Sequence, residues 1–263
     1  MGFAADVLIV AGKEDRVADR LRQDLDKIGR RAEILDGPSA ARLFTIRVQA
    51  DGATVTPSLP MFIRSSAWWY DDSTADADER FLRAEAYAAF WAAAALSNSV
   101  VINRTARGGG GGRMTAGALA CAMGPPDAMA YDIYASGPEF IENGTGETIW
   151  GEDCQFRVAS ISELIPGEPL RARKLNPAAL YEIVTVVGER AFSATTDRRS
   201  AELGLAERST ALCRRIDTHL GTITWAIDEH GATPVRLNPS PDEAELRYAG
   251  REVSQAMSAD LVG

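Results

Sequence analysis

Lysine is scarce in this chain. Of its 28 basic residues only Lys13, Lys27 and Lys174 are lysines, so chemistry that depends on an ammonium group has few places to reside. The three cysteines, Cys121, Cys154 and Cys213, lie far apart without CxxC spacing, which argues against a disulfide framework and a thiolate zinc site. A reducing cytoplasm is the expected setting. His219 and His230 are the two histidines; they are distant in sequence, and no GxSxG elbow accompanies them, so a catalytic triad has no support. No apolar stretch reaches the roughly 18 residues of a membrane helix, and the opening "MGFAADVLIVAGKEDR" has neither a basic lead nor a small-residue cleavage site. No membrane association is expected. The net charge of −9, with no run of basic residues, argues against a nucleic-acid surface, because phosphate backbones require a basic face.

What is present is a globular composition. With 263 residues, 46% of them hydrophobic, the chain can bury a sizeable core in one large domain or in two to three small lobes. "DVLIVA" (6–11) reads as a strand ending near Gly12, and Val17, Leu21, Leu25 and Ile28 recur at helical spacing after it. "RAEILD" supplies a second strand, so the chain opens with a β-α-β unit and a parallel sheet. "FTIRVQADGATVTP" alternates apolar and polar residues around a turn at Asp51-Gly52, and "MFIRSSAWWY" reads as another strand. Residues 78–97 form an alanine-rich helix with Asp78 as candidate cap, and "VVIN" (100–103) follows. "MTAGALACAMG" reads as a short helix, and residues 128–175 mix strand-like runs such as "AMAYDIYAS", "CQFRVAS" and "PLRARKL" with turns. "LYEIVTVVGERAFSAT" (180–195) is a hairpin with Gly188-Glu189 at its tip. A helix over 205–219, the strands "TITWAID" and "TPVRL" joined by "EHGA", and a helix starting at Pro241 complete the pattern.

One stretch invites a chemical reading. "RTARGGGGGRM" (104–114) sets five glycines between arginines, which suits either a phosphate cradle or a slack loop. The GxxxxGK[ST] signature requires a lysine and a hydroxyl residue where Arg113 and Met114 stand, and five consecutive glycines cost much backbone entropy to order. A loop is the expectation.

Taken in order, these elements resemble the ATP-grasp superfamily, most closely the graspetide (microviridin-type) peptide ligases and the ribosomal-protein glutamate ligases. The resemblance rests on "VLIVAGKED", on the hairpin running into "AWWYDD", on the long helix before "VVINRT", on "YEIVTVVGERAFSAT", and above all on "LGTITWAIDEHGATPVRLNPSP". It implies an α/β chain of α+β lobes: an N-terminal β-α-β lobe (1–100), a shortened central lobe (101–175), and a C-terminal lobe with antiparallel hairpins (176–263). It also implies ATP and Mg²⁺ as cofactors, a peptide or small carboxylate as substrate, and conversion of a carboxylate to an acyl phosphate that an amine or hydroxyl attacks. Mg²⁺ takes hard oxygen ligands, usually one or two carboxylates beside the substrate phosphates.

The sequence departs from this pattern at the metal. Asn238 matches the family asparagine of the Glu-x-Asn-Pro pattern, but Arg236 stands at the glutamate position and Thr224 at the position of the strand aspartate. Asp228, on the same strand, could substitute only with a different hairpin register. Val184 stands where the resemblance expects an arginine. Lys174 is the one lysine available for the phosphates, with Arg113 near the place of a second, and Arg236 would add a further cation. The candidate ligand-binding set is therefore Arg113, Lys174, Arg236 and Asn238, without a metal cage. Two functions fit this residue set: a degenerate ATP-grasp protein acting as partner of an active ligase, peptide-binding module or homodimer, and a non-standard ATP-grasp ligase using arginines. Trp68, Trp69, Phe90, Trp91 and Trp225 read as core, and Arg198-Arg199 and Arg214-Arg215 as solvated faces.

Overall fold

The computed structural model describes residues 4–12, 14–64, 76–104, 132–135, 149–152, 158–160, 170–174, 179–193, 201–241, 243–246 and 248–263; between 132 and 174 the description is of the backbone. The chain opens with strand β1 (Val7–Val10), helix α1 (Arg16–Lys27) and strand β2 (Ala32–Leu35), with β1 and β2 parallel in the register Val7↔Ala32 to Val10↔Leu35. Asp15 starts α1 by accepting the Val17 and Ala18 N–H groups, both at 3.0 Å. Val17, Leu21 and Leu25 are buried, as their spacing predicts, whereas Ile28 lies past the helix end and is 56% exposed.

A one-turn helix α2 (Gly37–Ala41) follows, which the apolar pattern does not predict; Asp36 caps it through the Ser39 N–H and a proline occupies its first turn. Strands β3 (Thr45–Gln49) and β4 (Gly52–Thr56) make the expected hairpin, with Gln49 opposite Gly52 and Ala50-Asp51 forming the turn. Strand β5 (Met61–Ile63), the long helix α3 (Ala77–Leu96) and strand β6 (Val101–Ile102) complete a parallel sheet in the order β2-β1-β5-β6. The cap of α3 is Asp76, not Asp78: its carboxylate accepts the Glu79 N–H at 2.8 Å, and Asp78 sits in the first turn, where a negative charge suits the helix dipole.

A second sheet runs β7 (Asp132–Ala135), β10 (Leu170–Lys174), β8 (Ile149–Glu152) and β9 (Val158–Ser160) in that spatial order, antiparallel throughout. The pentaglycine run, "MTAGALACAMG", Trp68, Trp69 and Arg198-Arg199 lie outside the described residues.

The C-terminal sheet is built from β11 (Leu180–Val187), β12 (Arg190–Ser193), β13 (Leu220–Asp228) and β14 (Gly231–Asn238), in the order β12-β11-β13-β14, with helix α4 (Leu205–Arg215) between β12 and β13. Helix α4 thus ends at Arg215, four residues before its expected end. Helix α5 (Gly250–Val262) closes the chain. It starts nine residues later than expected, because residues 243–246 and 248–249 are in turns, from which Leu246 and Ala249 are buried in the core.

Alternation along the C-terminal strands gives the sheet two faces. Val184, Val186, Ile223, Trp225 and Leu237 pack on Leu205, Leu212, Cys213 and Ile216. Trp225 is completely buried, donates from Nε1 to Ser209 Oγ at 2.9 Å, and lies 4.5 Å below the Arg208 guanidinium. A second core joins the two ends of the chain: Val7, Ile9, Leu21, Leu25 and Ile102 pack with Val187, Leu220, Leu246, Val253 and Met257. Among the described residues no helix is long and apolar enough to cross a membrane.

Burial pushes the Cys213 thiol up from its ordinary 9.0 to about 12. In the unfolded chain the thiol ionises first, so stability contributed by this group is full below pH 9.0 and is lost as pH rises towards 12. At pH 8 the native thiol is therefore expected to resist iodoacetamide until the chain unfolds, which mass spectrometry of the Cys213 peptide would show; modification at the rate of a free thiol would contradict this packing.

Candidate functional site

The face of the C-terminal sheet opposite α4 carries polar side chains where the first face carries aliphatic ones. Thr185 and Thr222 are paired across β11 and β13, and Thr222 and Thr224 face Asn238 and Arg236 across β13 and β14. A bulge makes this possible: Thr224 pairs with Arg236 while Trp225 pairs with Pro234, so Val235 is the extra residue. Pro234, which has no N–H to give, is tolerated at such a break on an edge strand.

The centre of the cluster comes from outside the sheet. Glu245, in the turns between β14 and α5, directs its carboxylate onto this face. Oε2 accepts the Asn238 amide at 2.6 Å, and Oε1 accepts both the Thr222 hydroxyl at 3.3 Å and Arg236 Nη1 in an ion pair. The pair is largely withdrawn from water, with side-chain exposures of 19% for Arg236 and 12% for Glu245. Asn238 also accepts the Ser240 N–H at 2.9 Å, which fixes its amide orientation. Beside it the Tyr248 hydroxyl lies 2.6 Å from Thr185 Oγ1; burial, with the charges of Glu245 and Glu182, holds its pKa above the ordinary phenol value, so it remains a neutral donor.

Two side chains from the N-terminal sheet hold the turn after β14 in place. Arg64, just past β5, donates Nε to Asp15 at 2.7 Å and Nη1 to the Pro241 carbonyl at 2.6 Å. Asn103, just past β6 and only 1% exposed, donates to the Pro239 carbonyl and accepts the Leu220 N–H at 2.8 Å. Both ends of the "NPSP" segment are thereby tied to the opening sheet.

The expected site residues fall as follows. Asn238 and Arg236 are brought together, with Thr224 directly opposite Arg236. Lys174 is the last residue of β10, described by its backbone, and Arg113 lies outside the described residues. Asp228 is at the hairpin tip, paired with Gly231, where its carboxylate accepts the His230 N–H at 2.9 Å; the register leaves it away from Asn238. Val184 is fully buried against α4, so it does not face the site, and the residue of β11 that does is Thr185. The sequence pattern does not single out Glu245, Arg64 or Asn103. Glu245 falls inside the segment that reads as helix from Pro241, and nothing in its local pattern marks it as turned toward the sheet.

No family model and no curated protein matches the sequence. Solved structures do match the fold. The macrocyclase MdnC of Microcystis aeruginosa MRC, solved with its precursor peptide MdnA, superposes with a TM-score of 0.68 over 97% of this chain and 98% of that one, at 13% identity. The chain has the fold of the ATP-grasp ligases. The ATP-grasp ligase PsnB, complexed with a minimal precursor, Mg and ADP, matches over 100% of both chains with a TM-score of 0.65 and 13% identity. A RimK-domain ATP-grasp protein of Sphaerobacter thermophilus DSM 20745 matches over 98% of this chain and 99% of that one, with a TM-score of 0.56 and 16% identity.

The ATP-grasp fold implies ATP with Mg²⁺, and the donors around Asn238 do not fit that ion. A magnesium site offsets the triphosphate with hard anionic oxygens. Here the carboxylate in contact with Asn238 is already neutralised by Arg236, and Thr224 offers a neutral hydroxyl. Among the described residues no group of three His, Cys, Asp or Glu side chains converges. A cation placed beside Asn238 would meet the guanidinium of Arg236.

Proposed function

We propose that this chain is an ATP-grasp-fold protein of peptide modification that has given up magnesium-dependent ligation and serves as a peptide-binding module or as partner of an active ligase. The observation that carries this reading is the Arg236–Glu245–Asn238 cluster, which sets an ion pair on the sheet face where the family resemblance expects the metal ligands. Peptide handling is supported by the relatives of the same fold that were solved with precursor peptides. The reading includes a division into an N-terminal lobe to about residue 100, a central lobe to 175 and a C-terminal lobe, with action in the cytoplasm. Arg113 and Lys174 belong to the proposed ligand-facing set with Arg236 and Asn238; a homodimer is a further arrangement it accommodates.

A second reading has one observation in its favour. Asn238 is kept, and Glu245 supplies one carboxylate beside it, so a non-standard ligase could use these with arginines in place of the usual cage. The two separate in a turnover assay with peptides rich in Asp and Glu in the presence of Mg-ATP. The module reading expects peptide binding without ADP release and without a dehydrated product. Peptide-dependent ADP release, with loss of water from the peptide by mass spectrometry, would establish the second reading instead.

A further inference from the structure

We propose that α3 pairs antiparallel with α3 of a second copy of this chain, about a two-fold axis at Ala88 and Ala89. The pairing gives the homodimer that the peptide-module reading accommodates a definite surface, and it does not depend on what the Asn238 face binds. One side of α3 packs into the protein through Phe90, Ala93 and Ala94. The opposite side, along Phe81, Glu85, Ala88, Ala92 and Leu96, is exposed except for half-buried Ala92, with exposed Leu82 and Ala89 at its margin. Phe81 is 63% and Leu82 67% exposed, and after Glu85 the helix has no charged residue up to its end at Leu96. A helix face that stays in water ordinarily carries polar and charged side chains; a helix apolar on all sides is one that is covered.

This face is complementary to itself. With the axis at Ala88 and Ala89, Phe81 of one copy meets the partner's Leu96, Glu85 meets the partner's Ala92, and Ala88 meets the partner's Ala89. Each contact then occurs twice, as a two-fold interface requires. Methyl groups at the crossing let the two axes approach to the short end of the usual helix spacing of about 8–10 Å, while the large apolar side chains fill the flanks. The charges agree with the same arrangement. Asp76, Asp78 and Glu79 make the start of α3 acidic, whereas its end is held by the Arg104 guanidinium, which donates to the carbonyls of Ala94, Ala95, Ser97 and Ser99. Antiparallel pairing sets Asp78 of each copy opposite the partner's Ser99, beside the arginine that holds it, and it also opposes the two helix dipoles. At 20 residues α3 is about 30 Å long, so a contact along it is smaller than the roughly 1,600 Å² of a standard interface. The dimer is therefore weak and dependent on concentration.

Sedimentation velocity of the full chain, from low micromolar to several hundred micromolar, reads the association. Wild type is expected to move from monomer to dimer over that range, and Ala88→Arg and Phe81→Ser/Leu82→Ser are expected to remain monomeric with unchanged melting of the dilute protein. The register is tested by oxidising Glu85→Cys, Ala92→Cys, an equal mixture of the two, and wild type as the control for the natural cysteines. In the proposed pairing residues 85 and 92 lie opposite each other, whereas two copies of the same position are displaced by seven residues, about 10 Å, beyond the roughly 7 Å that a disulfide spans. The mixture alone should give a covalent dimer, joined between positions 85 and 92 by mass spectrometry. A wild type that stays monomeric throughout, including one that instead associates with a ligase, overturns the pairing. So does a dimer that survives Ala88→Arg, or cross-linking of either single variant as readily as the mixture. None of these results bears on peptide binding or ADP release, which the turnover assay reads separately.

Discussion

Asp15→Ala is expected to lower stability by about 4 kcal/mol, because the residue has two duties. One oxygen caps α1 through the Val17 and Ala18 N–H groups, and loss of such a cap costs about 0.5–2 kcal/mol. The other oxygen neutralises Arg64, whose side chain is 8% exposed, and stranding a buried charge costs about 3–5 kcal/mol. At about 2–4 °C per kcal/mol for a chain of this size, the midpoint of thermal unfolding should fall by about 10 °C. Asp15→Asn, which still caps the helix, should recover the capping part only. A drop of less than about 2 °C for Asp15→Ala would mean that Arg64 is solvated and does not hold the Pro241 turn.

Asn103→Ala is expected to cost a similar amount for a different reason. It leaves the Leu220 N–H and the Pro239 carbonyl unpaired in the core, at about 1–3 kcal/mol each. It also places alanine at φ 60°, a left-handed conformation that asparagine tolerates better, adding about 1 kcal/mol. Asn103→Gly should regain only that last part. Hydrogen exchange offers a local check, since the Leu220 amide should lose protection in both variants; an unchanged Leu220 amide would remove Asn103 from the account.

How far the sequence can be read depends on the range of the interactions involved. Val17, Leu21 and Leu25 announce α1 because one helix face meets one core, and the hairpins announce themselves through alternation and Gly188 or Gly231 at their turns. The sequence points to Asp78 as the cap of α3, and only the Glu79 N–H shows that Asp76 takes that role. The start of α5 is illegible because Leu246 and Ala249 are buried at spacings compatible with helix, although both residues lie in turns. At the site, Asn238, Arg236 and Thr224 are legible from the order of elements. The bulge at Val235, which sets Thr224 opposite Arg236, is a feature of strand pairing; Pro234 hints at an edge or a break but does not fix the register. Glu245, Arg64 and Asn103 act across 9, 177 and 136 residues, and no local periodicity encodes such partners.

The central claim is that the ATP-grasp fold here carries a neutralised ion pair where magnesium chemistry would need a cage of carboxylates. Thermal unfolding in millimolar Mg-ATP tests it most directly, with the double variant Thr224→Asp/Arg236→Glu as the comparison. Ligand at about 100 times its dissociation constant stabilises a native protein by about 2.7 kcal/mol, which for this chain length is a rise of several degrees. The double variant removes the guanidinium and adds two carboxylates beside Asn238 and Glu245; it should melt lower than wild type without metal and rise in Mg-ATP. The wild type should not move. A wild-type midpoint that climbs several degrees in Mg-ATP and falls back with chelator would contradict the account and restore the ligase.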